Sequence, residues 1–356
     1  MKVVFVSWRD LAHPSSGGSE VLVSRLIEQL LARGHSAALV CGRPIAPGRA
    51  YPVVSAGGTY SQYLGAPLAV RKVKDADLLV DVSNGIPYFS PLWWRGPKLC
   101  LFTHVHGDQW HGQFPKPIAE AGWFFERKVM PWVYRNTQFV TISPSTADAL
   151  QRLGVDGARI HISYPGIDDE LLVEPVAKSK DPLFVILGRL APNKQVDRVL
   201  DAWRRVQCTS GGTLVVIGDG PLRASLEAQD VPGVEFRGRV SDAEKRSLLG
   251  AAWLMLHAAR HEGWGIGIME AAAQATPTLA FDVDGVRDSI VPEVTGRLIA
   301  TQEEFEAAWM ALAQDRELLA RWGAAARKRA ADFTWERSMD EFLVAAKVSL
   351  AAVGKR

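Results

Sequence analysis

Cysteine is scarce in this 356-residue chain: Cys41, Cys100 and Cys208 stand far apart, with no C-x-x-C spacing. That argues against a disulfide scaffold or a structural zinc cluster and fits a reducing compartment. No apolar stretch approaches the roughly 20 residues needed to span a bilayer. The opening run "MKVVFVSW" is too short for a secretory signal and reads as a first strand. The expected location is therefore cytoplasmic, with at most a peripheral attachment at the inner face of a membrane. Charge of one sign is lacking too, with 41 Lys and Arg against 39 Asp and Glu and a net charge of +2. A dedicated nucleic-acid binder would carry a basic stripe or arm, so no nucleic-acid partner is expected. A G-x-G-x-x-G fingerprint is also missing, which disfavours a nicotinamide dehydrogenase.

What is present is the profile of a soluble globular protein, 47% hydrophobic and 22% charged, long enough for two cores. Short β-branched runs alternate with helical patterns from end to end. "KVVFVS", "SAALVC", "ADLLVDVS", "KLCLFTH" and "TQFVTIS" read as strands in the first half. "LFVILGR", "TLVVIGDG", "VEFRG", "AWLMLHA" and "TPTLAFD" do so in the second, with helices such as "VDRVLDAWRRV" and "EKRSLLGAA" between them. Strand–helix alternation argues for parallel sheets in a doubly wound α/β fold. The polar stretch "DDELLVEPVAKSKDP" reads as the linker, giving Rossmann-like domains at 1–170 and 171–335 with a cleft between them. A terminal helix over 336–356, capped by Thr334, is expected to pack back on the first domain.

In such sheets ligands bind beyond the carboxyl ends of strands, so motifs just after strands carry the most weight. "HPSSGGSE" follows the first strand, and Gly17 and Gly18 would open a helix whose free N–H groups favour anions. A plain flexible turn is the alternative. "GRLAPNK" places Arg189 and Lys194 between a strand exit and a helix, where a planar fork and a point charge can hold a diphosphate together. Surface basic residues are common, which is the competing account. "HEGWGIGIME" sets Glu262 before a glycine turn and Glu270 about one helical turn inside, where its carboxylate can accept hydrogen bonds from a sugar diol. Taken blandly, these are one loop acid and one acid favourable to a helix start.

Taken in order along the chain, these pieces resemble the retaining GT-B glycosyltransferases of family 4. They are the GG-x-E loop, "FTH", "VTIS", "PGID", "GRLAPNK", "VIGDGPL", "FRGRVSD", "HEGWGIGIME", "TPTLAFDVDGVRDSI" and "FTWE". The resemblance implies two Rossmann-like domains facing each other across a cleft, the first for the acceptor and the second for a UDP- or GDP-sugar donor. It implies that Arg189 and Lys194 neutralise the diphosphate leaving group and that Glu262 faces the donor sugar. Glu270 would bind the ribose, and the main-chain N–H groups of Gly265, Ile266 and Gly267 would complete the diphosphate cradle. Gly218, Gly220 and Val240 would border the nucleotide, with Gly17 and Gly18 approaching the diphosphate from the first domain. His104 matches the family histidine beside the donor sugar, but "THVHGDQWH" leaves His106 as a competitor, with Asp108 and Trp110 further acceptor-side candidates.

No cofactor is expected, the nucleotide sugar being a co-substrate. No metal is expected either: a three-histidine site of His104, His106 and His111 lacks supporting ligands. The D-x-D triplets at Asp75–Asp77 and Asp282–Asp284 lack the context of a metal-dependent transferase. With no carboxylate placed as a nucleophile, front-face substitution is the expected mechanism. The chain departs from the usual motif at Trp264, where Phe is frequent, at Gly267, and at Pro165, where Asn often stands. The acceptor is a hydroxyl on a glycan, a lipid-linked sugar or a small molecule. "PLWWRG" and "WFFERKVMPWVYR" mix aromatics with Arg and Lys as an interfacial membrane patch would, though such aromatics more often simply pack between helices. A GT-B-fold nucleotide-sugar epimerase and a non-catalytic nucleotide-sugar-binding protein are the alternatives.

Overall fold

The protein is described from a computed structural model covering residues 1–13, 16–45, 48–113 and 115–353. Pro14 and Ser15 of the first glycine motif, and the last three residues of the expected terminal helix, lie outside the described residues. The chain divides into two compact units, Met1–Gly166 with Trp335–Arg356, and Ile167–Thr334.

The first unit is built on a seven-stranded parallel sheet. Its strands are β1 (Lys2–Val6), β2 (Ser36–Gly42), β3 (Val53–Gly57), β4 (Leu78–Ser83), β5 (Lys98–Phe102), β6 (Gln138–Thr141) and β7 (Ile160–Ile162). Their spatial order is β3-β2-β1-β4-β5-β6-β7. The central strands are buried on both faces, which is why they read as continuous apolar runs rather than alternating ones. The helix Gln62–Arg71 packs Ala66, Ala69 and Val70 against Val4, Val6 and Val40 on one face. On the opposite face the ring of Phe342, from the terminal helix Trp335–Val353, stacks on Phe5 at 6.0 Å. Asp81 in β4 is fully buried, accepting from the Tyr88 N–H at 3.0 Å, the Ser90 N–H at 3.1 Å and the Tyr134 hydroxyl. Burial pushes its pKa up against these bonds.

The second unit is a six-stranded parallel sheet. It comprises β8 (Leu183–Leu187), β9 (Thr213–Ile217), β10 (Val234–Gly238), β11 (Leu254–His257), β12 (Thr278–Phe281) and β13 (Gly296–Ile299). The order is β10-β9-β8-β11-β12-β13. Counted from β8, it repeats the 3-2-1-4-5-6 progression of the first sheet. Its core is aromatic: Phe281 stacks on Phe305 at 5.1 Å and Trp203 on Trp309 at 5.4 Å.

The stretch read as a linker is instead part of the second unit's packing. Lys178 Nζ donates to the Ala252 carbonyl at 2.7 Å and the Thr276 hydroxyl at 2.6 Å, and Gln274 Nε2 donates to the Leu171 carbonyl at 2.5 Å. Its polarity reflects local hydrogen bonding, and burial pushes the Lys178 amine down to about 7.

Candidate functional site

Where neighbouring parallel strands lead their connections to opposite faces, the loops at their carboxyl ends part and leave a crevice. In the second sheet this point lies between β8 and β11, and the loops leaving those two strands carry Arg189, Lys194 and Glu262. The two loops are joined by the Arg260 N–H donating to the Asn193 carbonyl at 2.9 Å. Lys194 Nζ donates a short hydrogen bond to Glu262 Oε2, whose other close neighbour is His257 Nε2 at 3.5 Å. Burial disfavours the charged carboxylate, but the Lys194 cation and His257 outweigh it and hold Glu262 well below the usual carboxylate range. Burial lowers the pKa of His257, favouring the neutral ring. Among the described residues the Arg189 guanidinium has no ion-pair or hydrogen-bond partner. The loops at the crevice thus carry one compensated cation, Lys194, and one uncompensated cation, Arg189.

The glycine turn after β11 explains how the next helix begins. Gly265 has φ +86°, a left-handed conformation that suits glycine, and caps the helix Ile266–Ala273. Gly267 sits in that first turn, where a Cβ would come 3.3 Å from the Leu187 carbonyl at the end of β8. The N–H groups of Gly265, Ile266 and Gly267 therefore stand at the same end of the sheet as Arg189 and Lys194. Glu270, one turn further in, is held by Lys245 Nζ at 2.8 Å, and that lysine also pairs with Asp242 at 3.1 Å. Burial raises the Glu270 pKa, aided by Asp168 and Asp242 and opposed by Lys245. Trp264 is buried, its ring 5.1 Å from that of Phe333. Its departure from Phe fills a packing position.

Gly218 and Gly220, expected to border the nucleotide, have a structural reason of their own. A Cβ on Gly218 would fall 1.9 Å from the Gly188 carbonyl, and one on Gly220 2.3 Å from that of Leu190. They let the β9 loop press against the loop bearing Arg189, where the Leu190 N–H donates to the Asp219 carbonyl at 2.9 Å. Val240 packs its side chain on the core beneath the neighbouring loop.

In the first unit the corresponding crevice lies between β1 and β4. Helix Gly18–Ala32 starts directly after Gly17, and the Gly17 N–H donates to the Glu20 carboxylate at 2.7 Å. His104 and His106 follow β5 with their rings stacked at 4.3 Å, and Trp110 lies 5.0 Å beyond His106. A buried carboxylate, Glu126, organises this loop. It accepts from the His106 N–H at 2.7 Å, the Gly107 N–H at 2.8 Å and Trp110 Nε1 at 3.2 Å. Trp110 is buried and supports the loop from within. Asp108 is exposed at the loop tip. His111 pairs with Glu120 at 3.2 Å. Among the described residues no group of three His, Cys, Asp or Glu side chains is gathered as a metal site. Asp282 and Asp284 both pair with Arg287, at 2.9 and 3.2 Å, and Asp77 accepts from the Lys2 N–H at 2.7 Å.

Three residues that contact these motifs were missed in the sequence: His257, Lys245 and Glu126. His257 ends the strand "LMLH", a position that signals a loop-facing group. Lys245 and Glu126 lie in helical stretches where a charged residue reads as solvated surface.

Two parallel α/β units of this topology define a GT-B glycosyltransferase fold. Sucrose-phosphate synthase from Thermosynechococcus elongatus superposes with a TM-score of 0.82 at 19% identity, over 99% of this chain and 100% of that one. The family model for glycosyl transferases group 1 matches residues 168–329, and that for Glycosyltransferase Family 4 matches residues 16–171. The chain belongs to glycosyltransferase family 4. It is 29% identical over 237 residues to a GDP-mannose-dependent alpha-mannosyltransferase of Mycobacterium tuberculosis (strain CDC 1551 / Oshkosh), a match over 63% of this chain and 59% of that protein. With the GDP-mannose-dependent alpha-(1-6)-phosphatidylinositol dimannoside mannosyltransferase of Mycobacterium tuberculosis (strain ATCC 25177 / H37Ra) it shares 27% identity over 96% of this chain and 95% of that protein. The chain thus spans less than two thirds of the first relative and nearly all of the second. No helix of the described residues is long and apolar enough to cross a membrane.

Proposed function

We propose that this protein transfers a hexosyl group from a nucleoside diphosphate sugar to an acceptor hydroxyl, with retention of anomeric configuration and without a metal. The observation that carries the reading is the uncompensated Arg189 beside the Lys194–Glu262–His257 cluster, at the end of the sheet where a helix starts with open N–H groups. A diphosphate needs such a set of donors, most of all when its bond to the sugar breaks and charge builds on the leaving oxygen. In the reaction the C1–O bond to the diphosphate breaks while the acceptor oxygen bonds to C1 from the same face. The acceptor proton passes to the departing phosphate oxygen. Arg189 and Lys194 stabilise that phosphate, Glu262 orients the sugar hydroxyls and Glu270 receives the ribose. His104, or His106 stacked upon it, serves the sugar and acceptor as the family resemblance implies.

GDP-mannose is the favoured donor, because both mycobacterial relatives are named as dependent on it. A thermal-shift series over GDP-mannose and UDP-, ADP- and TDP-sugars tests this. The correct donor should stabilise by about 2.7 kcal/mol at a hundredfold excess over its dissociation constant, and Arg189→Ala should remove the shift. A series in which no nucleotide sugar stabilises the protein overturns the reading. Incubation with donor alone separates the epimerase, which would return an altered sugar. Activity lost to a chelator and restored by one divalent ion would overturn the metal-free mechanism.

A further inference from the structure

Burying a carboxylate destabilises a fold unless hydrogen bonds replace its water. Glu126 is 2% exposed, while Phe124 and Phe125 just before it are 52% and 39% exposed, the reverse of the usual sorting. The inversion falls on a π-helical turn, Phe125–Val129, set between the helices Lys116–Phe124 and Met130–Val133. Such wide turns gather at functional sites. The Glu126 oxygens accept from the His106 and Gly107 N–H groups at 2.7 and 2.8 Å and from Trp110 Nε1 at 3.2 Å. His106 Nδ1 also stands 3.9 Å from Oε1. These donors all lie in the segment that directly follows His104.

Other elements are shaped to the same group of rings. The His106 ring is stacked on that of His104 at 4.3 Å and packs against that of Trp110 at 5.0 Å. Two glycines leave room for them. A Cβ on Gly85, in the loop after β4, would come 3.3 Å from His106 Cε1 and 3.4 Å from Trp110 Cη2. One on Gly122, in the helix Lys116–Phe124, would come 2.5 Å from Trp110 Cε3. The β4 loop, that helix and the π turn thus converge on His106 and Trp110. With 11% of its side chain exposed, His106 has little surface left to offer a substrate. His104 leans on these supports through its ring face, and its Nδ1 lies 3.4 Å from the Thr103 hydroxyl.

We infer that Glu126 and His106 are positioning residues for His104. The carboxylate fixes the turn that carries His106 and Trp110, and the turn offers the His106 ring as a rigid plate that holds His104 in one orientation. The inference rests on the transfer reading and deepens it where His104 and His106 stood as alternatives. His104 meets the donor sugar or the acceptor hydroxyl, and His106 acts only through it.

The physical need is orientation. A loop imidazole that swings about its side-chain bonds lies mostly away from any reacting geometry, and a reacting group misplaced by about an ångström can lose a hundredfold in rate. Holding such a group takes a second layer of residues locked by packing and hydrogen bonds. Glu126 supplies the hydrogen bonds, and the space left by Gly85 and Gly122 supplies the packing.

The test compares Glu126→Ala, His106→Ala and His106→Phe in the full chain by two readouts. The first is the NMR signal of the His104 ring protons, assigned by their loss in His104→Gln and recorded at about pH 8, above the ordinary imidazole pKa. The stacked rings displace this signal from the position of a solvent-exposed imidazole. Glu126→Ala and His106→Ala should return it toward that position, whereas His106→Phe, which keeps a flat ring, should hold it displaced. The second readout is GDP release from saturating GDP-mannose. His106→Ala should lower kcat by roughly tenfold to a hundredfold with the donor KM unchanged, and His106→Phe should restore most of the loss. A His104 signal indifferent to Glu126→Ala and His106→Ala overturns the inference. So does a His106→Phe rate as low as that of His106→Ala, which would make His106 the reacting group. Rate losses in step with each variant's unfolding temperature and donor KM would reduce both residues to scaffolding and overturn it as well. If the parent turns over no nucleotide sugar, the transfer reading fails, and the ring signals still decide whether Glu126 and His106 hold His104.

Discussion

Beside β1, the N–H of Gly17 at the helix start is taken by the protein's own carboxylate, Glu20, at 2.7 Å. Beside β8, the helix start at Gly265 has no acid in its first turn, and the nearby Arg189 lacks a partner among the described residues. Strand order is the same at both points, and both strands are followed by glycine-bearing loops. The difference lies in who supplies the negative charge. In the first unit the fold supplies it and consumes a donor. In the second, we propose, it is left for a ligand. Topology creates two equivalent crevices, and a few loop side chains decide which is prepared for an anion.

The largest break in that comparison comes from the cations. Arg189→Ala should lower donor turnover by about a hundredfold to a thousandfold, the range for loss of one preorganised charge partner at a leaving group. Arg9→Ala, in the first crevice, removes a guanidinium that stacks over Trp8 at 4.1 Å and faces Glu20. It should cost less than about tenfold, because the half-exposed Arg9 faces a carboxylate of the fold rather than a leaving group. Steady-state rates with one donor decide it, and equal losses would erase the distinction between the crevices.

Next in size is Glu126, the anion that the first unit spends on its own loop. Glu126→Ala leaves the His106 and Gly107 N–H groups and the Trp110 indole N–H without their acceptor, at about 1–3 kcal/mol for each donor that water does not reach. Glu126→Gln keeps one acceptor oxygen. Because burial already raises this carboxyl's pKa, it should lose clearly less. Differential scanning calorimetry of the three proteins measures both. A Gln variant as unstable as the Ala variant would show that the charge, not the acceptor, holds the loop.

Glu270 offers a smaller and sharper test of the prepared crevice. Its carboxyl is already raised by burial, and Lys245 opposes the rise. In Lys245→Met the rise goes unopposed, so near neutral pH more of the carboxyl is protonated and fewer molecules can accept from a ribose. Donor affinity should fall about tenfold, a difference of roughly 1.4 kcal/mol. It should recover as pH rises and the proton leaves, whereas the parent profile stays flat. Calorimetric titration with the donor between pH 6 and 9 measures it, and a deficit that does not recover would mean that Lys245 touches the donor itself.

Legibility in the sequence followed the same division. The central strands of both sheets were readable because burial on two faces writes continuous apolar runs such as "VVFV" and "LMLH". Three strands went unread, β3, β7 and β13, all at sheet edges, where short length and half-exposed residues blur the signal. "HEGWGIGIME" was readable because a left-handed Gly265 and a carboxylate on each side leave a spacing that ordinary loops lack. Glu126, Lys245 and Lys178 were not. Each is a charged residue with at least one partner 16 to 98 positions away, so its burial is a property of the fold and has no local pattern. The exposed face of helix Gln62–Arg71 at Leu64 and Leu68 was hidden for the converse reason. Apolar residues at helical spacing ordinarily mark the inner face, and here the smaller Ala66, Ala69 and Val70 took it.

The smallest expected effect concerns His257, whose Nε2 lies 3.5 Å from Glu262 Oε2. Burial lowers its pKa below the ordinary 6.5, so between the two values the unfolded chain binds a proton that the folded one refuses. Stability should therefore fall as pH drops below about 6.5, the sign for a histidine kept neutral in the fold. Glu262 contributes no opposing slope there, because its carboxylate is held far below that range and stays ionised in both states. His257→Gln keeps a hydrogen-bonding group near Glu262 while abolishing the titration. Its unfolding free energy should be less pH-dependent than the parent's between pH 5 and 7, with donor affinity changed only a few-fold. A parent stability that instead rises as pH falls through that window would mean that His257 is protonated in the fold. Lys194 and His257 would then both be cations on Glu262, and the prepared crevice would hold more positive charge than Arg189 alone provides.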